Sequence, residues 1–368
     1  MLPNDFKNYN RNTEKYLIVL LNFNIHNYYI KILIIVLNLR RCIVMILIMG
    51  FLLGSAFGFV LHRSKYSVSL SFEHLVVDRD FTYFFVLMLT ISLQSIGVSL
   101  LHYFNLITVL NEQFSVLATA LGSFIFGVGI RIAYGCTLSY IRAGEGYTDG
   151  IINLAMFLIV AGMTRYGLLQ PISKFLKQFF VIESDIPTTL GISGIKVSVM
   201  LTVISIIFII ISFKRYHLSN KEKTKYYLVA ISIATIALIG WLIGDISGTG
   251  RSIEVAGPTS KIMEFLMTGD FSYISWKELF VIGILASAFF STKIKGQFYW
   301  HKITNLNTQR AVIGGALMGF GAIVAEGCAV GNVLVSTAAL SWRGFVSMIF
   351  MMFGVQIMTI IRTKQESN

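Results

Sequence analysis

The sequence has few charged residues. Asp, Glu, Lys and Arg together make up 13% of its 368 residues, whereas hydrophobic residues make up 55% and the mean hydropathy is +0.73. A chain of this length has room for two soluble domains. This composition instead places it among integral membrane proteins.

Cysteine is scarce, and catalytic motifs are missing. Cys42, Cys136 and Cys328 are odd in number and widely spaced, which argues against a disulfide framework or a CxxC zinc site and predicts free thiols. There is no HExxH motif, and the glycine runs GDISGTG and GVGIRIAYG lack the strand context of a dinucleotide fingerprint. We therefore predict no catalytic residues, no metal, no cofactor and no enzymatic activity.

The net charge of +12 does not indicate nucleic-acid binding, because the basic residues lie in short runs between apolar segments. This is the arrangement that the positive-inside rule produces. We interpret His62, Arg63 and Lys65 as a positively charged anchor on the inner side of the membrane. Asp245 is interpreted as a residue at a membrane interface. The basic linker 213–225 and the tail 362–368 are predicted to be cytoplasmic.

Nine apolar segments approach the roughly 20 residues that a bilayer core requires. They are 43–61, 83–106, 114–134, 151–168, 188–212, 226–243, 277–291, 311–329 and 344–361. We predict an all-α membrane protein with about nine transmembrane helices, divided into a first half (43–212) and a second half (226–361) around the linker. Residues 1–42 are Asn-rich, lack a signal-peptide cleavage site and form a poorly defined extension. Met45 or Met49 is an alternative start, which would leave Cys42 out of the working protein.

The segment LGSFIFGVGIRIAYGC, which ends at Cys136, recurs 192 positions later as GGALMGFGAIVAEGC, which ends at Cys328. Small residues agree in one register, and this indicates an internal duplication whose two halves build one site. The matched pairs are Gly122/Gly314, Gly127/Gly319, Gly129/Gly321, Ala133/Ala325, Gly135/Gly327 and Gly162/Gly354.

On a helix, residues 122, 129, 133 and 136 share one face, and so do 314, 321, 325 and 328. Such small-residue stripes let helices approach closely in a membrane, and one interpretation is that they are packing faces only. The stretches after each Gly-Cys are too polar or too rich in glycine to continue a lipid-facing helix. Discontinuous helices in matching positions of two repeats point to a transporter's binding site.

Cys136 and Cys328 are the candidate substrate-binding residues, together with Gly135 and Gly327. If each cysteine opens a short helix, the free N–H groups and the positive helix end attract an anion and favour a thiolate. A polarizable sulfur also suits a sulfur-containing anion. The alternative is that the cysteines act as small buried hydrophobes.

Arg131, Arg142, Glu145 and Glu326 are candidates for an electrostatic or proton-transfer role, because an ionisable group at membrane depth is costly. Glu326 is expected to relay protons, attract a cation or pair with Arg131. For Arg142, Glu145 and Asp149 an interfacial loop is the favoured interpretation.

Three segments carry a family resemblance: RIAYGCTLSYIRAGEG, GFGAIVAEGCAVGN and GFLLGSAFGFVLHRSKYS. They resemble the sulfur-transport membrane proteins of the YeeE/YedE family over roughly residues 45–361. The resemblance implies a multi-pass protein of the bacterial inner membrane with two inverted halves and short helices that meet at a narrow waist. It also implies thiosulfate as substrate and a cytoplasmic TusA-like or rhodanese-like sulfur carrier as partner.

The sequence departs from the family pattern in three places, one of which is the stretch Thr137, Leu138 and Ser139, where glycine or serine-glycine usually follows the first Gly-Cys. The family's first cysteine falls on Ser67, so a hydroxyl replaces a thiol there, and Ala329 stands where asparagine is common. Ser67 is a further candidate substrate-binding residue, and we expect it to line the entrance or exit rather than the waist.

We therefore predict a transporter that passes a small sulfur-containing anion between Cys136 and Cys328 without covalent change. Three alternatives stay open. In the first, the transported anion contains selenium. In the second, the protein is a membrane thiol oxidoreductase that cycles through a Cys136–Cys328 disulfide. In the third, it is a scaffold for a sulfur-carrier protein.

Overall fold

The computed structural model describes residues 43–109, 113–183, 185–191, 220–302 and 305–366, with single residues or short runs between 195 and 210. The predictions for residues 1–42, for Cys42, for most of segment 188–212 and for the first part of the linker lie outside the described residues. The chain from Met49 onward forms one compact unit. The chain up to Ile48 forms another unit, of which residues 43–48 are helical.

The first part of the described chain is helical apart from a small hairpin. It contains α1 (43–64), α2 (Val68–Glu73, continued by a π-helical turn over His74–Asp78), α3 (Thr82–Tyr103), β1 (Gln113–Ser115), α4 (Val116–Ile132), α5 (Cys136–Gly144), α6 (Thr148–Tyr166), α7 (Gln170–Leu176), β2 (Val181–Glu183) and α8 (Ile186–Leu190). Strands β1 and β2 pair antiparallel, with Gln113 opposite Glu183.

The second part begins inside the predicted linker and repeats the pattern of long helices that alternate with short ones. It contains α9 (Asn220–Ile246), α10 (Ala256–Thr268), a 3₁₀ turn (Phe271–Tyr273), α11 (Trp276–Ile294), α12 (Asn305–Val324), the π-helical α13 (Ala329–Ser336) and α14 (Trp342–Glu366).

Six helices among the described residues are long and apolar enough to cross a membrane. A seventh span results if α12 and α13, which are bent by 44° at the break between them, count as one. The all-α, multi-pass prediction is confirmed, but the nine predicted spans are not reached in the described chain. Segment 188–212 lies mostly outside it, and α11 is helical over the predicted range without being among the six.

Side-chain caps explain where two of the long helices begin. The Ser115 hydroxyl accepts a hydrogen bond from the Ala118 amide at the start of α4. At the start of α11, Ser275 and Glu278 form a capping box, in which each side chain satisfies a backbone N–H of the other's turn. These caps satisfy backbone N–H groups that have no partner within the helix.

Helices α4 and α12 pack with their backbones in direct contact. A Cβ atom at Gly122 would lie 2.5 Å from the Ala325 amide nitrogen, and one at Gly314 would lie 2.4 Å from the Ala133 Cβ. A Cβ at Gly129 would lie 3.0 Å from the Gly314 carbonyl oxygen. The two small-residue stripes are therefore packing faces, and each packs against the other.

Two further helices enclose this pair. Helix α14 packs on α4, where a Cβ at Gly354 would lie 2.2 Å from the Phe124 carbonyl oxygen. Helix α6 packs on α12, where a Cβ at Gly319 would lie 2.8 Å from the Phe157 carbonyl oxygen. The four helices α4, α6, α12 and α14 form the core that holds the short helices α5 and α13 in place.

Gly122→Ala tests the α4–α12 contact. Helix propensity alone would make alanine the more stable residue by about 1 kcal/mol. Because the new methyl group meets backbone atoms that cannot move aside, we expect the substitution to destabilise the protein by about 1–3 kcal/mol. Leu121→Ala, at a neighbouring residue that is 41% exposed, is the control. The measurement is thermal unfolding of the purified protein in detergent, and an unchanged or higher Tm for Gly122→Ala would contradict the packing argument.

Candidate thiol site

The two Gly-Cys motifs meet in the interior. Cys136 is the first residue of α5 and Cys328 is the N-cap residue of α13, so each cysteine opens a short helix as predicted. Both side chains are fully buried free thiols, and they lie within interaction range of each other. Two motifs that lie 192 positions apart in the chain thus form one site.

Backbone N–H groups surround both sulfur atoms. The amides of Thr137 and Val330 lie near the Cys136 Sγ, and those of Val255, Ala256 and Gly331 lie near the Cys328 Sγ. These donors belong to the first turns of α5, α10 and α13. Helix N-termini carry unpaired N–H groups and a partial positive charge, so three of them at one point favour an anion there.

Ser67 lies beside this cluster rather than at an entrance. It is fully buried, it is the N-cap residue of α2, and its hydroxyl is 3.2 Å from the Thr137 hydroxyl. The expectation that Ser67 lines the entrance or exit is therefore wrong about its depth. The α2 N-terminus comes this close because Ser67 bonds directly to the first turn of α5.

Gly135 is required by its surroundings. A Cβ atom at this position would lie 2.0 Å from the Ser69 Oγ. Ser69 is itself buried, and its hydroxyl has no hydrogen-bond partner among the described residues. A side chain at Gly135 would push α2 away from α5.

Gly327 is required for a different reason, which involves Asn332 of α13. The Asn332 amide donates to the Ala325 carbonyl at 2.9 Å and to the Ser347 hydroxyl at 3.0 Å, and it ties the turn between α12 and α13 to α14. A Cβ at Gly327 would lie 2.3 Å from the Asn332 Oδ1. The turn that carries Cys328 is thus closed by a buried amide.

Arg142 is held rigidly at the end of α5. Its guanidinium donates to both carboxylate oxygens of Asp149, at 3.1 and 2.8 Å, and lies 4.2 Å from the ring centroids of Tyr134 and Tyr147. The Tyr134 hydroxyl also donates to Asp149, which is buried. The predicted interfacial loop is therefore wrong for Arg142 and Asp149, which lie in α5 and α6. Glu145 is the C-cap residue of α5.

The three remaining ionisable candidates are also paired. Glu145 lies 3.1 Å from the His62 Nε2. Arg131 lies 3.4 Å from Glu73 and donates to the Thr359 hydroxyl.

Glu326 pairs with Lys177 at 3.1 Å and with Arg343 at 3.6 Å. The suggested Arg131–Glu326 pair is wrong, because α4 and α12 run in opposite directions and carry these two residues to opposite ends.

Sequence reasoning missed the charged residues next to Cys328. Glu254 immediately precedes two of the amides that bond the Cys328 Sγ, and Lys277 lies 3.8 Å from its carboxylate. Arg343 is 5% exposed and also lies in this region. The sequence signal for this region was Glu254 itself, a single acidic residue within the apolar stretch SIEVAGP, which ends at Pro258.

These features belong to an all-α, multi-pass membrane protein with a buried pair of thiols, which is the class that the fold and the site define. The chain matches the family described as Sulphur transport over residues 63–357, and it belongs to that family. It is 30% identical over 322 residues to the thiosulfate transporter TsuA of Escherichia coli, covering 83% of this chain and 92% of that protein. It is 26% identical over 318 residues to the thiosulfate transporter TsuA of Spirochaeta thermophila, covering 83% and 96%. The resemblance seen in the motifs is confirmed.

Asn332→Ala tests how the Cys328 turn is held. The change leaves buried acceptors without their donor, which costs about 1–3 kcal/mol. We expect a lower Tm and faster alkylation of Cys328 by a membrane-permeant maleimide, measured by mass spectrometry. Ser336→Ala, which removes one hydrogen bond to Gly331 from the same helix, is the matched control. An unchanged Cys328 alkylation rate would show that Asn332 does not close this turn.

Proposed function

We propose that this protein imports thiosulfate across the bacterial inner membrane. The observation that carries the proposal is the pair of buried free thiols at the starts of α5 and α13, which lie within interaction range of each other and of backbone N–H groups at helix N-termini. Membership of the sulphur-transport family and the names of the two relatives agree with it. Cys136, Cys328, Gly135, Gly327 and Ser67 are the proposed substrate-binding residues.

The chemistry of the site suits thiosulfate better than sulfate. The backbone N–H groups offer hydrogen bonds to a dianion without placing a full positive charge in contact with it. The thiol S–H groups are weak donors that suit a large, polarizable terminal sulfur. Sulfate has no such atom. Weak contacts also allow the anion to leave, which conduction requires, so no covalent step takes part.

We further propose that the two halves are related by an inverted pseudo-two-fold symmetry. Helices α3 to α6 recur in the order of α11 to α14, with the two cysteines at matching positions. The contact of Gly122 with Ala325 has a reciprocal partner in the contact of Gly314 with Ala133. Exchanging the two halves converts one contact into the other, which is the relation that a pseudo-two-fold axis would require.

The proposed orientation places the basic linker in the cytoplasm. The end of α1 and the start of α9 share a groove of about 500 Å³ whose lining includes Arg63 and Lys225. Helix α11 runs parallel to α1, with Gly50 near Trp276 and Gly58 near Ile284, so Lys293 also lies at this end. A concentration of cations at one end supports a cytoplasmic position for it. A TusA-like or rhodanese-like sulfur carrier would dock there.

A second candidate function is membrane thiol oxidoreduction. The contact between Cys136 and Cys328 favours it, because adjacent thiols can form a disulfide without a large movement of the backbone. In that case an electron acceptor such as a quinone would have to oxidise the pair in each cycle. The two candidate functions differ in the state of the thiols during turnover.

Cys136→Ala and Cys328→Ala should each reduce uptake of labelled thiosulfate at least tenfold, which corresponds to about 1.4 kcal/mol or more. The Tm should stay nearly normal, because each change removes only one buried sulfur atom. Cys42→Ala is the control and should transport normally. Uptake is measured in cells that lack other importers. Collapse of both folded mutants would instead show that the cysteines serve packing.

The state of the thiols separates transport from redox catalysis. In isolated membranes without reductant, we expect both Cys136 and Cys328 to react with an alkylating reagent. Thiosulfate should slow the reaction and sulfate should not, because only thiosulfate presents a terminal sulfur to the thiols. A Cys136–Cys328 disulfide that forms and disappears with turnover would assign the protein to the oxidoreductases.

A further inference from the structure

We propose that a small cleft around Lys177 is a first binding site for a divalent oxoanion, and that Glu326 is the exchangeable counter-ion that closes it. This inference rests on the proposed import of thiosulfate and adds a capture step before the thiols. It gives Glu326 a role in anion capture, whereas the sequence alone offered proton relay, cation binding or a pair with Arg131.

The cleft is small, and polar and apolar side chains line it in about equal measure. It has a volume of about 80 Å³, and it lies where the β1–β2 hairpin and the end of α7 meet the end of α12. Its lining includes Gln113, Ser115, Thr119, Lys177 and Glu326. The ammonium group of Lys177 is the cation in this lining, and its side chain is 31% exposed.

Glu326 connects this cleft to the interior. One carboxylate oxygen lies 3.1 Å from the Lys177 Nζ, and the other lies 3.6 Å from the Arg343 Nη1. The Lys177 side chain is 31% exposed and that of Arg343 is 6% exposed, so one carboxylate spans a cation at the surface and a cation inside. Displacement of this carboxylate would take one counter-ion away from both cations.

The backbone at Glu326 places this carboxylate on a turn close to Cys328. It adopts φ of +57°, a left-handed conformation in which glycine or asparagine is usual after a helix end. The residue lies on the turn after α12 rather than within the helix, and Cys328 follows two residues later. An anion that displaces Glu326 therefore arrives beside the Cys328 turn.

The charges continue inward from Arg343. Arg251 and Glu254 both lie within electrostatic range of Arg343, and Glu254 pairs with Lys277. A Cβ at Gly331 would contact the Glu254 side chain at 3.4 Å, which places that carboxylate against α13, next to Cys328. Cations and carboxylates thus alternate from the cleft to the thiols.

The cleft is at the end of the molecule where import would begin. Helix α9 starts at the linker and ends at Ile246, and its Asp245 accepts a hydrogen bond from Thr108, shortly before β1. β1 lines the cleft. If the linker is cytoplasmic, Lys177 faces the outside.

The central test is the Michaelis constant for labelled thiosulfate in cells. Lys177→Gln should raise the KM roughly tenfold and leave the maximal rate nearly unchanged, because it removes a charged contact of the capture step only. Lys174→Gln, one turn earlier on the exposed side of α7, should change neither value. An unchanged KM in Lys177→Gln, with wild-type uptake intact, would overturn the inference while leaving the proposed function standing.

Glu326→Gln tests the exchange itself. Without the competing carboxylate, thiosulfate should bind the two cations more readily, so the KM should fall at least twofold. A KM raised as far as in Lys177→Gln would show that Glu326 only positions the lysine, and would contradict the exchange.

Purified protein provides a readout that does not depend on transport. In detergent, the thiosulfate concentration that gives half-maximal thermal stabilisation should rise in Lys177→Gln and fall in Glu326→Gln. Lys177→Arg, which keeps the positive charge beside Glu326, should fold and bind thiosulfate nearly as the wild-type protein does. Loss of binding in Lys177→Arg as large as in Lys177→Gln would contradict the inference. Absence of thiosulfate uptake by the wild-type protein would instead defeat the proposed function.

Discussion

The close approach of α4 and α12 is the constraint on which the rest of the structure depends. Their glycines let backbone atoms touch, and the turns that follow these antiparallel helices lead from opposite ends back to Cys136 and Cys328, at the starts of α5 and α13. A side chain larger than hydrogen at Gly122 or Gly314 would separate the helices, and the thiols with them. In a membrane such packing replaces the hydrophobic effect as the source of helix association, because lipid is as apolar as the helices.

The structure lowers the electrostatic cost of charge at membrane depth in two ways. Full charges at membrane depth are costly, and the structure pairs those it carries, as Arg142 with Asp149 and Arg343 with Glu326. Around the thiols it uses backbone N–H groups at helix N-termini instead, which attract an anion without a mobile positive charge. Ion pairs at the periphery and amide dipoles at the centre would bind the anion less and less strongly along its path. The anion would therefore keep moving.

The sequence was informative wherever a pattern had a single physical cause. The registered Gly-Cys pairs predicted the meeting of the two motifs, and the break after each cysteine predicted short helices. It was uninformative about partners across the fold. Ser67 bonds to Thr137, Glu326 bonds to Lys177, and Arg131 bonds to Glu73, and each of these pairs is set by helix direction and depth rather than by local sequence. Glu254 was overlooked because one acidic residue in an apolar stretch does not show whether it faces lipid, water or a helix end.

The central claim is that the two thiols together hold the sulfur of the transported anion. The most direct measurement is a crystal structure of the protein soaked in thiosulfate, with anomalous diffraction recorded near the sulfur absorption edge. The account predicts an anomalous peak for the terminal sulfur in contact with both Cys136 and Cys328. A bound anion that lies elsewhere in the protein, with the two cysteines in contact only with each other, would contradict it.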